Sequence, residues 1–179
     1  MRTFRVRVNP HNSLETLAKY HVGVVRDKLS SGNTHRIGLD CVSAVVAMAF
    51  AVEAIMNFVG AKKVSEWRER KPFHTKVTVL QVRLQFKFDD SIEPFKTLSI
   101  LKEARDRMAH GQPVEFEVQV ESNQQVGKAM QPVWASASTP QFVLAAYDQV
   151  NDFKKVLFKK ARIKPGASLT SASSYGPET

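Results

Sequence analysis

The chain has few of the residues that build disulfide frameworks, metal centres and phosphate-binding loops. Its 179 residues include one cysteine, five histidines and eight glycines. The single cysteine, Cys41, excludes an internal disulfide and fits a reducing compartment, and we expect it to be a core residue. Four of the histidines are scattered without helical pair spacing, so the sequence predicts neither a metal site nor a cofactor. The glycines form neither a dinucleotide fingerprint nor a Walker-type loop.

Acidic residues are also scarce. Seventeen Asp and Glu stand against 26 Lys and Arg, which gives a net charge of +9 and a pI near 9.8. This balance favours an anionic partner such as RNA or DNA over the alternative of a merely soluble basic surface. No signal-peptide pattern is visible, and we expect a cytoplasmic protein.

Only one apolar run approaches the length of a membrane span, at residues 41–59. Ser43, Glu53 and Asn57 interrupt this run, and much of it is alanine. These features favour the central helix of a soluble bundle over a membrane span.

The apolar spacing predicts a mainly helical fold, a bundle of four to five helices with one or two short strands. With 43% hydrophobic residues the chain can bury one core. We therefore predict a single domain over residues 1–163 and a disordered polar tail over residues 164–179. Helices are predicted from Asn12 or Ser13 to about Leu29, from Leu39 or Asp40 to near Gly60, over 92–111, and from Pro140 onward after a Thr139 cap.

Two further segments alternate apolar and polar residues. Residues 3–8 and 114–120 are predicted strands, and Glu115 and Glu117 can face Arg5 and Arg7 across an antiparallel pair. Residues 82–88 alternate in the same way, but a bundle needs an element between its two strongest helices. We therefore predict a helix over residues 76–88.

The segment at residues 92–111 is the most informative part of the chain. On a helix, its apolar residues form one arc, and Arg105 lies near the middle of that arc. A guanidinium in this position needs a partner, and Glu53 is the lone acid in the other apolar helix, so we predict that the two approach each other. His110 ends the helix beside Gly111, which is expected to form a left-handed cap.

The run Arg105-Asp106-Arg107-Met108-Ala109-His110-Gly111 resembles the signature of the HEPN superfamily (higher eukaryotes and prokaryotes nucleotide-binding domains). That signature has an arginine, a polar residue and then a histidine, commonly within Ala-His-Gly. The apolar helix that carries Glu53 is similar to the early helix of these proteins. The resemblance spans roughly residues 12 to 160.

The resemblance implies a homodimer through the motif helix and metal-independent RNA cleavage that leaves a 2′,3′-cyclic phosphate. Arg105 and His110 would be catalytic, and Asp106, four residues before His110, would hold its imidazole. It also implies a toxin, defence or stress role with an antitoxin or regulatory protein as partner. The antitoxin-controlled branch has a tyrosine where this chain has Gln112, which argues against that form of regulation. The alternative is a non-catalytic dimeric module that binds a nucleotide or a protein.

Each candidate residue also has a structural interpretation. Arg105 and Glu53 can form an ion pair whose sole role is structural. His110 can simply interact with the helix dipole. Asn57 suits a satisfied core amide as well as a supporting site residue. Arg107 can bind phosphate or remain solvated. The same choice applies to the lysines proposed to bind RNA, Lys154, Lys155, Lys159 and Lys160.

Overall fold

The computed structural model describes residues 3–120 and 122–175, and within them the chain forms a helical bundle with one small sheet. The elements are β1 (Thr3–Arg7), α1 (Pro10–Ser30), α2 (Ile37–Lys63), α3 (Phe73–Leu84), α4 (Phe95–His110), α5 (Asn123–Ala129), α6 (Pro140–Lys160) and β2 (Ser171–Tyr175). Short 3-10 helices occupy Ala135–Ser138 and Pro165–Ser168. The predicted fold class, a mainly helical bundle with short strands, is confirmed.

Helix α2 is the centre of the bundle because it is apolar on all sides. It packs against α1, α3, α4 and α6, and Cys41 is buried in it as predicted. Of the described helices, α2 alone is long and apolar enough to cross a membrane, and 56% of its most apolar stretch is buried inside the bundle. That burial is compatible with a soluble protein, whose core helix has the same composition.

Two glycines have roles other than the predicted helix endings. Helix α2 does not end at Gly60 but continues to Lys63. Gly60 instead makes room for the Trp67 ring, which a Cβ at this position would overlap. Gly111 has φ −61° and is not left-handed. A Cβ there would lie 2.6 Å from the Arg107 carbonyl oxygen, so Gly111 permits a close approach of backbone to backbone.

The helix predicted over residues 76–88 is present as α3, although it ends at Leu84. A helix explains the burial better than a strand does. Val77, Leu80 and Leu84 are buried on one stripe, whereas Val79 and Val82 are exposed. Helix α6 begins as predicted, with the Thr139 hydroxyl accepting a 3.2 Å hydrogen bond from the Phe142 N–H.

The predicted strand at residues 114–120 is wrong. Residues 111–120 contain no regular secondary structure, and β1 pairs instead with β2, antiparallel, with Arg5 opposite Ser173. The predicted pairing of Arg5 and Arg7 with Glu115 and Glu117 is therefore absent within this chain. Alternation indicates a preference for strand, but a strand also needs an available partner edge.

Part of the predicted disordered tail is ordered. Asn9 and Asn12 hold this segment in place: the Asn9 side-chain amide donates to the Ser168 and Leu169 carbonyls at 2.9 Å each. Asn12 adds a third bond to the Ser168 carbonyl. These bonds bring β2 beside β1. Residues 176–179 of the predicted tail lie outside the described residues.

Candidate functional site

Arg105 faces helix α2 as predicted. Its Nη2 lies 3.3 Å from Glu53 Oε2, and its guanidinium lies over the Phe50 ring at 5.6 Å from the centroid. The Arg105 side chain is 24% exposed. The guanidinium is therefore positioned by an acid and an aromatic face while part of it remains open to solvent.

Sequence reasoning missed the second cation of this cluster, Lys76. Its side chain is 0% exposed, and Nζ lies 2.7 Å from Glu53 Oε1. The Glu53 carboxylate therefore forms ion pairs with both the buried Lys76 ammonium and the partly buried Arg105 guanidinium. A helical wheel would have found it, because Lys76 precedes Leu80 by one helical turn on the buried stripe of α3.

Asp106 does not hold the His110 imidazole in this structure. Asp106 Oδ2 lies 2.9 Å from Lys102 Nζ, and Oδ1 lies 3.1 Å from Arg105 Nε. No hydrogen bond or ion pair joins it to His110 among the residues the structure describes. The carboxylate is drawn to two nearby cations, and it helps to position Arg105.

His110 stands at the edge of a groove of 1040 Å³. Its side chain is exposed. The α4 wall of the groove is polar and carries Lys102, Asp106, Arg107 and His110, whereas the opposite wall, from residues 111–134, is largely apolar. Arg107 forms an ion pair with Glu103 and is about half exposed. The α4 wall also includes Glu103, so its two cations are paired with two carboxylates, Lys102 with Asp106 and Arg107 with Glu103. His110, beside them, has no side-chain partner in the described part of the chain.

Arg105 and His110 do not meet within one chain. Arg105 faces Glu53 on α2, and it is not among the residues that line the His110 groove. This separation agrees with the roughly 140° between the two positions on an ideal helix. Within one chain the two side chains therefore lie on different sides of α4.

Asn57 is satisfied as a structural amide. Its Oδ1 accepts a 3.3 Å hydrogen bond from Trp67 Nε1, and Trp67 in turn packs on Gly60. The amide therefore anchors the segment after α2.

The lysines at the end of α6 are mostly engaged. Lys154 pairs with Glu15 at 2.7 Å, and Lys155 pairs with Asp152 at 2.8 Å. Lys160 donates to the Gln85 carbonyl at 3.1 Å. Lys159 is exposed and has no side-chain partner among the described residues. Of the four predicted RNA-binding lysines, Lys159 is therefore the one whose ammonium is not already engaged.

His11 is a buried titratable group that the predicted site does not include. It is 1% exposed, lies 4.4 Å from the Phe58 ring centroid, and neither ring nitrogen has a hydrogen-bond partner in the described residues. Desolvation lowers the pKa of His11, with Glu15 opposing and Lys154 adding to the shift. The neutral imidazole is therefore the form that the fold accommodates.

We expect the free energy of unfolding to fall as the pH drops below about 6.5, the ordinary pKa of histidine. Below that pH the unfolded chain protonates His11 while the folded chain, with its lowered pKa, does not, so the unfolded state gains stability. Denaturant titrations across about pH 5 to 8 measure this dependence. The variant His11→Leu should reduce it, and the matched variant His74→Leu, at an exposed histidine, should not. Equal pH profiles for both variants would contradict the assignment.

Comparison of the chain with models of protein families, with curated proteins and with solved structures found no match. The resemblance to HEPN proteins rests on the motif from Arg105 to Gly111 and on the pattern of the apolar helices.

Proposed function

We propose that this protein is a metal-independent RNA endonuclease of the HEPN type that acts as a homodimer in the cytoplasm. One observation carries the proposal. His110 is exposed, has no side-chain partner among the described residues, and lines a groove beside Lys102 and Arg107. It ends helix α4, the helix that also carries Arg105, whose guanidinium pairs with Glu53 of α2. The net charge of +9 supports a polyanionic substrate.

The chemistry follows from the two residue types. The ribose 2′-hydroxyl attacks the adjacent phosphorus, the bond to the 5′-oxygen of the next nucleotide breaks, and a 2′,3′-cyclic phosphate remains. An imidazole can take the proton of the hydroxyl or give one to the departing oxygen, and we assign this role to His110. Arg105 stays charged and binds the transition-state oxygens with its planar fork.

The dimer is required because Arg105 and His110 face different sides of α4. When two α4 helices meet across a two-fold axis, both pairs converge on one cleft. A stable interface of this kind buries on the order of 1,200 Å² or more in total. Asp106 then serves as a positioning residue for Arg105. Lys102 and Arg107 exchange their Asp106 and Glu103 partners for flanking phosphates when RNA binds.

The biological setting follows from the resemblance. HEPN ribonucleases imply a toxin, defence or stress effector, with an antitoxin or another regulatory protein as a further partner. Gln112, in place of the tyrosine of the nucleotidyltransferase-regulated branch, points to a different form of regulation.

The test of the proposed function is an RNA cleavage assay with purified protein in excess EDTA. We expect cleavage to persist and the products to carry 2′,3′-cyclic phosphates, because the nucleophile is the ribose itself. RNA with a 2′-O-methyl group at the scissile position should resist cleavage while still binding with salt-sensitive affinity. Cleavage of DNA, or complete loss of activity in EDTA, would contradict the mechanism.

A second candidate function is supported by the apolar wall of the groove. Val114, Phe116, Met130 and Trp134 line the side opposite His110, a composition that suits binding of a base or an apolar side chain. In this alternative the groove binds a nucleotide or a protein without cleavage. This alternative would be favoured if the protein binds RNA without cleaving it and His110→Ala binds RNA with the same affinity.

A further inference from the structure

Strand β1 has a free edge and an uncovered apolar side. It pairs with β2 along one edge, and the other edge makes no backbone hydrogen bond among the described residues. Phe4, Val6 and Val8 are exposed, with Val6 at 65%, and Arg5 and Arg7 alternate with them. An open edge with three exposed apolar side chains is a site for strand pairing.

The segment at residues 113–120 has the opposite charges in the same alternation. Val114, Phe116 and Val118 are exposed, with Phe116 at 64%, and Glu115 and Glu117 lie between them. Residues 112–120 make no backbone-to-backbone hydrogen bond among the residues described. The segment therefore has strand-forming side chains and unpaired main-chain groups.

The two segments fit each other in one antiparallel register. With Val6 opposite Phe116, Arg5 falls opposite Glu117 and Arg7 falls opposite Glu115. The remaining apolar residues then pair as well, Phe4 with Val118 and Val8 with Val114. Opposite charges and apolar pairs directly across two strands both favour pairing.

Within one chain the two segments join the bundle near opposite ends of α6. β1 leads into His11, which contacts Phe158 near the end of α6, whereas Gly111 lies beside Trp134, just before α6 begins. Helix α6 has 21 residues, so about 30 Å of helix lies between the points where the two segments join the bundle.

We propose that the partner of each segment is the complementary segment of a second copy of this chain. With the two-fold axis perpendicular to α4, the two α4 helices run antiparallel, and the β1 end of one copy then lies beside the 113–120 end of the other. Each β1 then receives residues 114–118 of the partner on its free edge, and two three-stranded sheets form. Because Phe116 and Glu115 line the His110 groove, the exchanged strand also closes one side of the site. The inference rests on the two-fold pairing in the proposed function and not on its chemistry.

Cysteine cross-linking tests the register. One chain carries Val6→Cys and another carries Phe116→Cys, and the two are mixed and oxidised. The native thiol of Cys41 is buried and its pKa is raised to about 11, so it does not compete. We expect a covalent dimer of the two chains, because directly opposed Cβ atoms are close enough for a disulfide. The control pair Phe4→Cys and Val114→Cys, which is also exposed but out of register, should give little cross-linking.

Charge reversal tests the pairing of β1 with residues 114–118 of the second copy without introducing a disulfide. Arg5→Glu with Arg7→Glu should weaken the dimer by about tenfold or more in dissociation constant, because like charges then face each other. Glu115→Arg with Glu117→Arg should do the same, and the four changes together should restore the dimer. Analytical ultracentrifugation gives the constants.

The outcomes separate this inference from the proposed function. If the wild-type chain is a dimer but the Val6→Cys and Phe116→Cys chains do not cross-link, the strand exchange is overturned and the proposed α4 dimer is not. A cross-link at monomer mass, in a chain that carries both cysteines, would show pairing within the chain and overturn it as well. A wild-type chain that stays monomeric at micromolar concentration would overturn both the exchange and the composite site.

Discussion

Replacing His110 by alanine should lower the rate of RNA cleavage by about a hundredfold or more, because general acid–base catalysis by a positioned side chain contributes roughly that much. The fold should survive the change, since the His110 side chain is exposed and has no side-chain partner in the described part of the chain. Single-turnover cleavage of a labelled RNA measures the rate, and circular dichroism checks the helix content. The matched control is His74→Ala, an exposed histidine on α3, which should retain full activity.

Arg105 gives a second measure of the same site. Arg105→Ala should also reduce cleavage by about a hundredfold or more, because a charge-stabilising donor is lost from the transition state. Arg105→Lys keeps the charge but loses the bidentate fork. Compared with Arg105→Ala, it should restore more of the folding stability than of the RNA cleavage rate. Asp106→Asn should cost less than either change, since Asp106 contacts Arg105 and Lys102 but not His110.

A mixture of inactive chains tests whether the site is composite. Chains with His110→Ala still carry Arg105, and chains with Arg105→Ala still carry His110. If both residues converge across the two-fold axis, mixed dimers should cleave RNA well above either parent. Cleavage that stays at the level of the parents would show that each chain works alone, and unchanged cleavage in His110→Ala would remove the catalytic assignment.

The Glu53–Arg105 contact was predictable because each residue is a lone charge within an apolar helical face. Such charges need partners, and the sequence offers one acid and one base in this position. Lys76 was not predicted, although a helix was predicted over residues 76–88, because the buried stripe of that helix was not followed back one turn from Leu80. The position of a buried charge can be read only after the periodicity of its element is known.

For the strands, local alternation was not sufficient to predict which segments pair. The alternation of β1 correctly predicted a strand, but nothing in the small polar residues of β2 indicates one. β2 forms because Asn9 and Asn12 bind the carbonyls just before it and bring it beside β1. Residues 114–120 have strong strand propensity and yet form no strand, because no edge lies within reach in the same chain. Local pattern predicts preference, whereas pairing depends on contacts distant in the sequence.

The same distinction applies to the site. The position of His110 at the end of α4 follows from helix periodicity and the glycine after it. The Asp106 contacts do not follow, because Lys102 and Arg105 compete with His110 for one carboxylate and the cations lie closer. The groove itself depends on how residues 111–134 fold back on α4, which no local pattern specifies.

Replacing Glu53 by alanine should lower the free energy of unfolding by about 3 to 5 kcal/mol, the cost typical of breaking a buried ion pair by removing one partner. The main reason is Lys76. Its ammonium is fully buried, and Glu53 Oε1 is its partner at 2.7 Å. Arg105 contributes less, because its side chain is 24% exposed and can be hydrated when the carboxylate is gone.

The comparison variants assign the loss to the buried ammonium. Glu103→Ala removes an exposed ion pair with Arg107 and should cost about 1 kcal/mol or less. Adding Lys76→Met to Glu53→Ala should recover much of the stability, because the orphaned charge is replaced by an apolar chain of similar length. Guanidinium denaturation of the four proteins, wild type included, gives the energies. A loss for Glu53→Ala no larger than that for Glu103→Ala would show that Lys76 finds water or another acceptor, and that Glu53 is not what compensates the buried ammonium.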